Sequence, residues 1–313
     1  MKFIRALSTL LLALAAGMTS LPAAAQFSRQ DLSKALLTSP TLLRIKETKT
    51  VVMGVRETVA PFSYNNGSDQ YIGYSIELCE DIIRSLRLDL NLDAIKVIYM
   101  PVTGKDRVEI IEANHADMEC GSTTNTVARQ QKVAFSNAQF FSQSYFVGRK
   151  GQQMRGLEDL RGKRVALPEK TIQLKAIEEA NTSKNLGIKI QTYRDPNDAF
   201  MATLGGDADF TSTDDLFLID MMLNVQGAKD KLQFYDTFAY LPNTYGIMLP
   251  KTDQAFVDVF NGYLNAMYQG GKAAKLYEKW FMNPIPPKQN NLRWAQPKEL
   301  QKLFKEPSSA PLL

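Results

Sequence analysis

Apolar positions along the chain fall into one rhythm that occurs twice. The run Val51-Val52-Met53-Gly54-Val55 has the length and composition of a buried strand, and it delivers Arg56 at its C-terminal end. A polar lead-in and a short helix over 41–47 precede it. After Ser75, the residues Ile76, Cys79, Ile82, Ile83 and Leu86 recur at three-to-four spacing, the mark of one helix face. A strand over 96–99, a helix over 106–114, a strand over 118–120 and a short helix over 126–134 follow. This β-α-β-α-β order implies an α/β lobe with a mostly parallel sheet, in which ligand groups gather where strands end and helices begin.

The second copy starts with the strand 164–167 and passes through a helix over 171–180, a strand over 188–193, a helix over 196–205 and a strand over 208–212, reaching Asp214. Two lobes are implied. The runs Ser144-Tyr145-Phe146-Val147-Gly148 and Tyr245-Gly246-Ile247-Met248-Leu249 read as the two crossings between them. Lobe 1 is then discontinuous, 26–146 plus 248–313, and lobe 2 is 147–247. Helices over 254–269 and 273–281 complete lobe 1, and Pro284-Ile285-Pro286-Pro287 breaks into a tail that wraps it. Two lobes on two connecting strands make a hinge with a ligand cleft between them.

One further apolar run, 6–16, is too short for the roughly 18–20 residues of a membrane span. It follows Lys2 and Arg5 and leads into Pro22-Ala23-Ala24-Ala25-Gln26, so 1–25 reads as a cleavable secretory signal and no lipid-anchor cysteine follows. Removing it lowers the formal charge from +4 to +2 on 288 residues, with acids and bases interspersed, which argues against a nucleic-acid partner. The single histidine, His115, in Glu-Ala-Asn-His-Ala-Asp, reads as a solvated helix end; two cysteines 41 apart complete a set with no metal-ligand spacing and no nucleophile-histidine motif. No cofactor or metal is expected.

Several stretches together resemble a known family. Gly121-Ser122-Thr123-Thr124-Asn125, with Arg129 four residues on, resembles the signature of periplasmic amino-acid-binding proteins that serve ATP-driven (ABC) importers. Arg56-Glu57 ahead of Pro61-Phe62-Ser63-Tyr64, Gly73-Tyr74-Ser75, Arg107, Glu119-Cys120 and the run from Glu278 to Pro287 resemble its glutamate/aspartate-binding branch. The resemblance implies a type II periplasmic-binding fold: a monomer that captures an acidic L-amino acid between its lobes, without a cofactor, and presents it to an inner-membrane permease. It implies that Arg129, Thr124 and Thr171 take the α-carboxylate, that Asp214 and Ser122 take the ammonium, and that Arg56 and Arg107 take the side-chain carboxylate. Guanidinium suits a bidentate carboxylate pair, and all three charged groups need partners once closure removes water.

The residues also carry plainer readings. An isolated arginine is ordinarily a solvated charge, but Arg56 directly follows an apolar run. Asp215 beside Asp214 leaves one of the two as a candidate helix cap, and Phe62 as either core or a wall against the ligand's methylenes. Three positions depart from the acidic-binding pattern: Gly104 replaces a serine, Pro196 a histidine, and Lys170 a glycine, where the lysine either adds a cation or points to solvent. These keep another polar ligand such as glutamine open. An enzyme resembling cyclohexadienyl dehydratase is a second alternative, with Glu57, Glu119 and Glu169 as the carboxylates near the site, and a sensor module a third. Cys79 and Cys120 are either buried free thiols, the commoner state of buried cysteine, or a disulfide of an oxidising compartment.

Overall fold

In a computed structural model of the chain, residues 28–68 and 70–313 are described, so the signal segment expected over 1–25 lies outside them. Two five-stranded sheets organise the fold. In the first, Thr50–Val55 runs parallel to Lys96–Pro101 on one side and to Met118–Glu119 on the other. Met248–Leu249 lies antiparallel between Met118–Glu119 and Ala134–Phe135. In the second, Lys189–Tyr193, Arg164–Pro168 and Phe210–Asp214 run parallel, the long strand Phe140–Arg149 pairs antiparallel with Phe210–Asp214, and Leu232–Tyr245 pairs antiparallel with Phe140–Arg149. Each sheet is thus mixed, with a single antiparallel strand, Met248–Leu249 or Phe140–Arg149, set between three parallel strands and an edge strand that runs parallel to them.

Local signals explain where the helices lie. Pro196–Gly205 begins at Asp195, whose carboxylate accepts from the Asn197 and Asp198 amides, starts with proline at its first position, and stops at Gly206 in the left-handed region. Gln254–Gln269 is capped in the same way by Asp253. Tyr74–Asp89 enters through Gly73 at φ 140°, where a Cβ would fall 2.2 Å from the Phe62 carbonyl oxygen, so only glycine fits that turn.

Two elements differ from the sequence expectation. The helix expected over 126–134 is only Val127–Gln130, because Ala134–Phe135 is drawn into the first sheet by Met248–Leu249. The run 144–148 is not a crossing: it lies inside Phe140–Arg149 and pairs there with Phe210–Asp214 and Leu232–Tyr245, so the chain changes sheets earlier, over 136–139, and returns over 246–247.

Cys79, on the buried face of its helix, and Cys120, just past Met118–Glu119, are joined as a disulfide. The free-thiol reading is therefore set aside. A loop of 41 residues closed in this way restricts the unfolded chain by about 4 kcal/mol on the chain-entropy view, and such bonds persist in oxidising compartments. The tail returns along the first lobe, where the Val127 amide donates to Leu313 and the Ala138 amide to Ser308. No helix among the described residues is long and apolar enough to cross a membrane.

Candidate functional site

All seven residues singled out in the sequence, Arg56, Arg107, Ser122, Thr124, Arg129, Thr171 and Asp214, line one cavity between the two sheets. Arg56 follows its strand directly, and its amide donates to Ser63 Oγ at 2.8 Å. Arg107 opens the helix Arg107–Glu112, and Ser122 and Thr124 lie on the loop that leaves Met118–Glu119. Arg129 sits in the short helix capped by Thr126, Thr171 caps the helix Ile172–Ser183, and Asp214 is the last residue of its strand, which ends two residues later than expected. Val59, Ile172 and Phe217 supply apolar wall. The space open to the centre of a water molecule is about 50 Å³, several times the roughly 10–15 Å³ one water needs. A small, highly polar solute fits this volume and lining.

The electrostatics are lopsided. Arg56 and Arg107 are 7% and 6% exposed, and Arg107 Nε is buried without a hydrogen-bond partner among the described residues. None of the three lining arginines 56, 107 and 129 has a carboxylate in salt-bridge contact among the described residues. Loss of water and then the neighbouring Arg107 hold Arg56 down to about 10 and Arg129 down to about 9, and burial lowers Arg107 as well. Charged forms disfavoured in this way are stabilised by an incoming anion. Arg129 spends two of its donors on carbonyls of opposite lobes, Thr124 at 2.8 Å and Lys170 at 3.1 Å, which fixes its plane and leaves three N–H groups.

Asp214 is buried and accepts from Ser144 Oγ at 2.9 Å, Gln173 Nε2 at 2.8 Å, Asn243 Nδ2 at 3.2 Å and the Tyr245 hydroxyl. Burial raises its carboxyl, and these donors hold the charged form against that rise. Nothing in the sequence pattern points to this cradle, because its donors come from three separate segments with no motif linking them. Asp215 points elsewhere: Oδ1 accepts from Ser142 Oγ at 2.7 Å and from the Leu216 amide at 2.8 Å.

Burial, with Asp214 adding to it, pushes the Asp215 carboxyl up from 3.8 to about 7. From about pH 4 to 7 the folded state therefore holds a proton that the unfolded chain has lost, and stability falls as pH rises through that window. Asp215→Asn should remove this dependence: the wild-type thermal midpoint drops relative to the variant's between pH 4 and 7. Parallel curves would refute the assignment.

The remaining candidates resolve individually. Phe62 is fully buried in a ring cluster with Tyr74, Phe140, Phe217, Tyr245 and Phe281 and does not reach the cavity; Phe217 is the aromatic wall. The Thr171 hydroxyl is spent, donating to the Pro168 carbonyl at 2.8 Å and accepting from the Leu174 amide at 3.2 Å. Lys170 stays outside the cavity, and its half-exposed side chain reaches across the cleft, where Nζ donates to the Lys105 carbonyl at 2.8 Å and to Glu109 Oε1 at 3.3 Å. Gly104 and Pro196 line the cavity without a donor side chain, and Arg194, unremarked in the sequence, lines it beside them. Of the three carboxylates considered for catalysis, Glu57 is exposed outside the cavity, Glu119 lies buried behind its wall, and only Glu169 lines it. His115 is exposed.

Residues 51–283 match the model of the bacterial extracellular solute-binding proteins, family 3. The chain is 33% identical over 269 residues to the L-glutamate/L-aspartate-binding protein of Pseudomonas aeruginosa, covering 86% of this chain and 88% of that one. It is 30% identical over 277 residues to the glutamate/aspartate import solute-binding protein of Escherichia coli, covering 87% and 89%. A solved ancestral amino-acid-binding protein, described as a precursor of cyclohexadienyl dehydratase, superposes with a TM-score of 0.62 at 25% identity over 77% of this chain and 99% of that one.

Proposed function

The chain belongs to the bacterial extracellular solute-binding proteins of family 3, and from that premise we propose that its cavity captures an acidic L-amino acid, glutamate or aspartate, and delivers it to an ABC permease. The observation that carries the reading is the charge of the cavity. Four arginines, Arg56, Arg107, Arg129 and Arg194, line it against two lining carboxylates, Asp214 and Glu169, while Glu119 and Asp195 are buried outside the lining and temper the excess. The lining is positive in excess, and an acidic amino acid brings one net negative charge to it. A neutral amino acid leaves the excess uncompensated and a basic one adds to it, both costly in a site shielded from water.

In this reading Arg129 grips the α-carboxylate with the N–H groups it has left, helped by backbone N–H groups at Thr124 and at the start of the helix that Thr171 caps. Asp214 takes the ammonium together with Ser122, its charge already fixed by four donors. Arg56 and Arg107 take the distal carboxylate, which gives the unpartnered Arg107 Nε an acceptor. Pairing is the whole chemistry, with no bond made and no cofactor used. The lobes pivot where the chain changes sheets, over 136–139 and 246–247, because first-lobe Arg129 and second-lobe Asp214 meet one ligand only when the cleft is shut.

A thermal-shift panel of amino acids tests the proposal. Glutamate and aspartate should raise the melting midpoint well above the shifts given by glutamine, histidine or lysine at equal concentration. A larger shift with glutamine or a basic amino acid would refute the acidic assignment.

A further inference from the structure

Glu119 has a place in the sheet that the assignments above leave unused. It ends Met118–Glu119, opposite Gly54 on one side and Met248 on the other, and is fully buried. Thr123 Oγ1 donates to Oε2 at 2.8 Å, whereas Oε1 is buried with no partner among the described residues. Gly121 keeps room for it: a Cβ there would fall 2.2 Å from Oε1 and 3.2 Å from Arg56 Cγ. The carboxylate and the Arg56 stem thus border one point behind the cavity wall. Of the surrounding carboxylates, Glu119 acts most strongly on Arg56, Arg107 and Arg129 alike.

We propose that Glu119 is a specificity-determining positioning residue, a buried counter-charge that lowers the positive charge of the cavity and so favours ligands of net charge −1 over dicarboxylates that lack an ammonium. The inference rests on the acidic-ligand reading above. Removing the Glu119 charge raises the positive potential of the cavity, from which a dianion gains more than singly charged glutamate does. Glu119 therefore competes with the ligand for guanidinium charge while it keeps the arginines from repelling one another in the free protein.

Calorimetric titration of the wild type and Glu119→Gln with L-glutamate, glutarate and L-glutamine tests this. Glutamine at 119 keeps the side-chain shape and an acceptor for Thr123. The ratio of the glutarate Kd to the glutamate Kd should fall at least about tenfold in Glu119→Gln, the lower range of coupling measured for close charge pairs. Glu119→Asp, which keeps the charge and disturbs the packing, should leave that ratio as in the wild type. Should Glu119→Gln be too unstable to titrate, the same comparison is read from thermal midpoints under saturating glutarate and glutamate. A ratio unchanged in Glu119→Gln, with all ligands weakened alike, would reduce Glu119 to a packing role and overturn the proposal. A wild type preferring glutamine to glutamate would instead refute the acidic reading, while the glutarate ratio still reports on Glu119.

Discussion

Arg129→Ala should weaken every amino-acid ligand, acidic or neutral, by about 3–5 kcal/mol, because truncating one member of a desolvated pair leaves the opposite charge buried and unpaired. The guanidinium is held in place from both lobes, by the Thr124 carbonyl at 2.8 Å and the Lys170 carbonyl at 3.1 Å, so alanine also removes a link that exists only across the shut cleft. The loss should not depend on the ligand's side chain, since every amino acid has an α-carboxylate. Arg56→Ala makes the contrast. Arg56 lines the cavity beside Arg107, and its loss should fall on glutamate and aspartate far more than on a neutral amino acid. Titration of both variants with glutamate and glutamine checks the pair of expectations. Equal proportional losses in both would show that head and tail of the ligand are wrongly assigned.

Asp214→Ala should cost as much affinity and should also cost the closed state. Asp214 belongs to the second lobe, and a ligand ammonium bound there is what draws that lobe onto a ligand gripped by Arg129. Ligand shifts the open–closed equilibrium only by its differential affinity for the two forms, so removing its second-lobe partner removes most of the drive. Alanine also leaves the donors Ser144, Gln173, Asn243 and Tyr245 without their acceptor, a cost to folding that Asp214→Asn reduces by keeping an oxygen in place. Small-angle scattering should show the wild type contracting on addition of glutamate and Asp214→Asn contracting little. Full contraction of the variant at saturation would separate Asp214 from closure.

Much of the lobe framework is legible in the sequence because it is local. The helix expected over 196–205 is found at Pro196–Gly205, where local residues fix both ends, Asp195 and Pro196 the start and Gly206 the finish. Arg56 is found because an apolar run ends beside a charge, which places that charge at the rim of a sheet, and Asp214 because it lies at the end of a strand and matches the resemblance. What escapes is set by pairing at long range. Ser144 looks like part of an apolar connecting strand, yet its partners are Asp214, Tyr240 and Gln173, all distant in sequence. Phe62 follows cis Pro61 in a motif that suits a cavity wall, but five other rings enclose it and the wall falls to Phe217. The Lys170 backbone, at φ 54°, turns its side chain across the cleft to Glu109, and nothing local in Glu169-Lys170-Thr171 specifies that partner. The disulfide is undecided for the same reason: only the packing of helix Tyr74–Asp89 against the first sheet brings its two halves within 6.5 Å, Cα to Cα.

A crystal structure of the protein with L-glutamate tests the central claim most directly. The account predicts one glutamate in the cavity between the sheets, its α-carboxylate on Arg129, its ammonium on Asp214 and its side-chain carboxylate on Arg56 and Arg107. A glutamate bound in the reverse sense, with its ammonium away from Asp214, or bound outside this cavity, would contradict it.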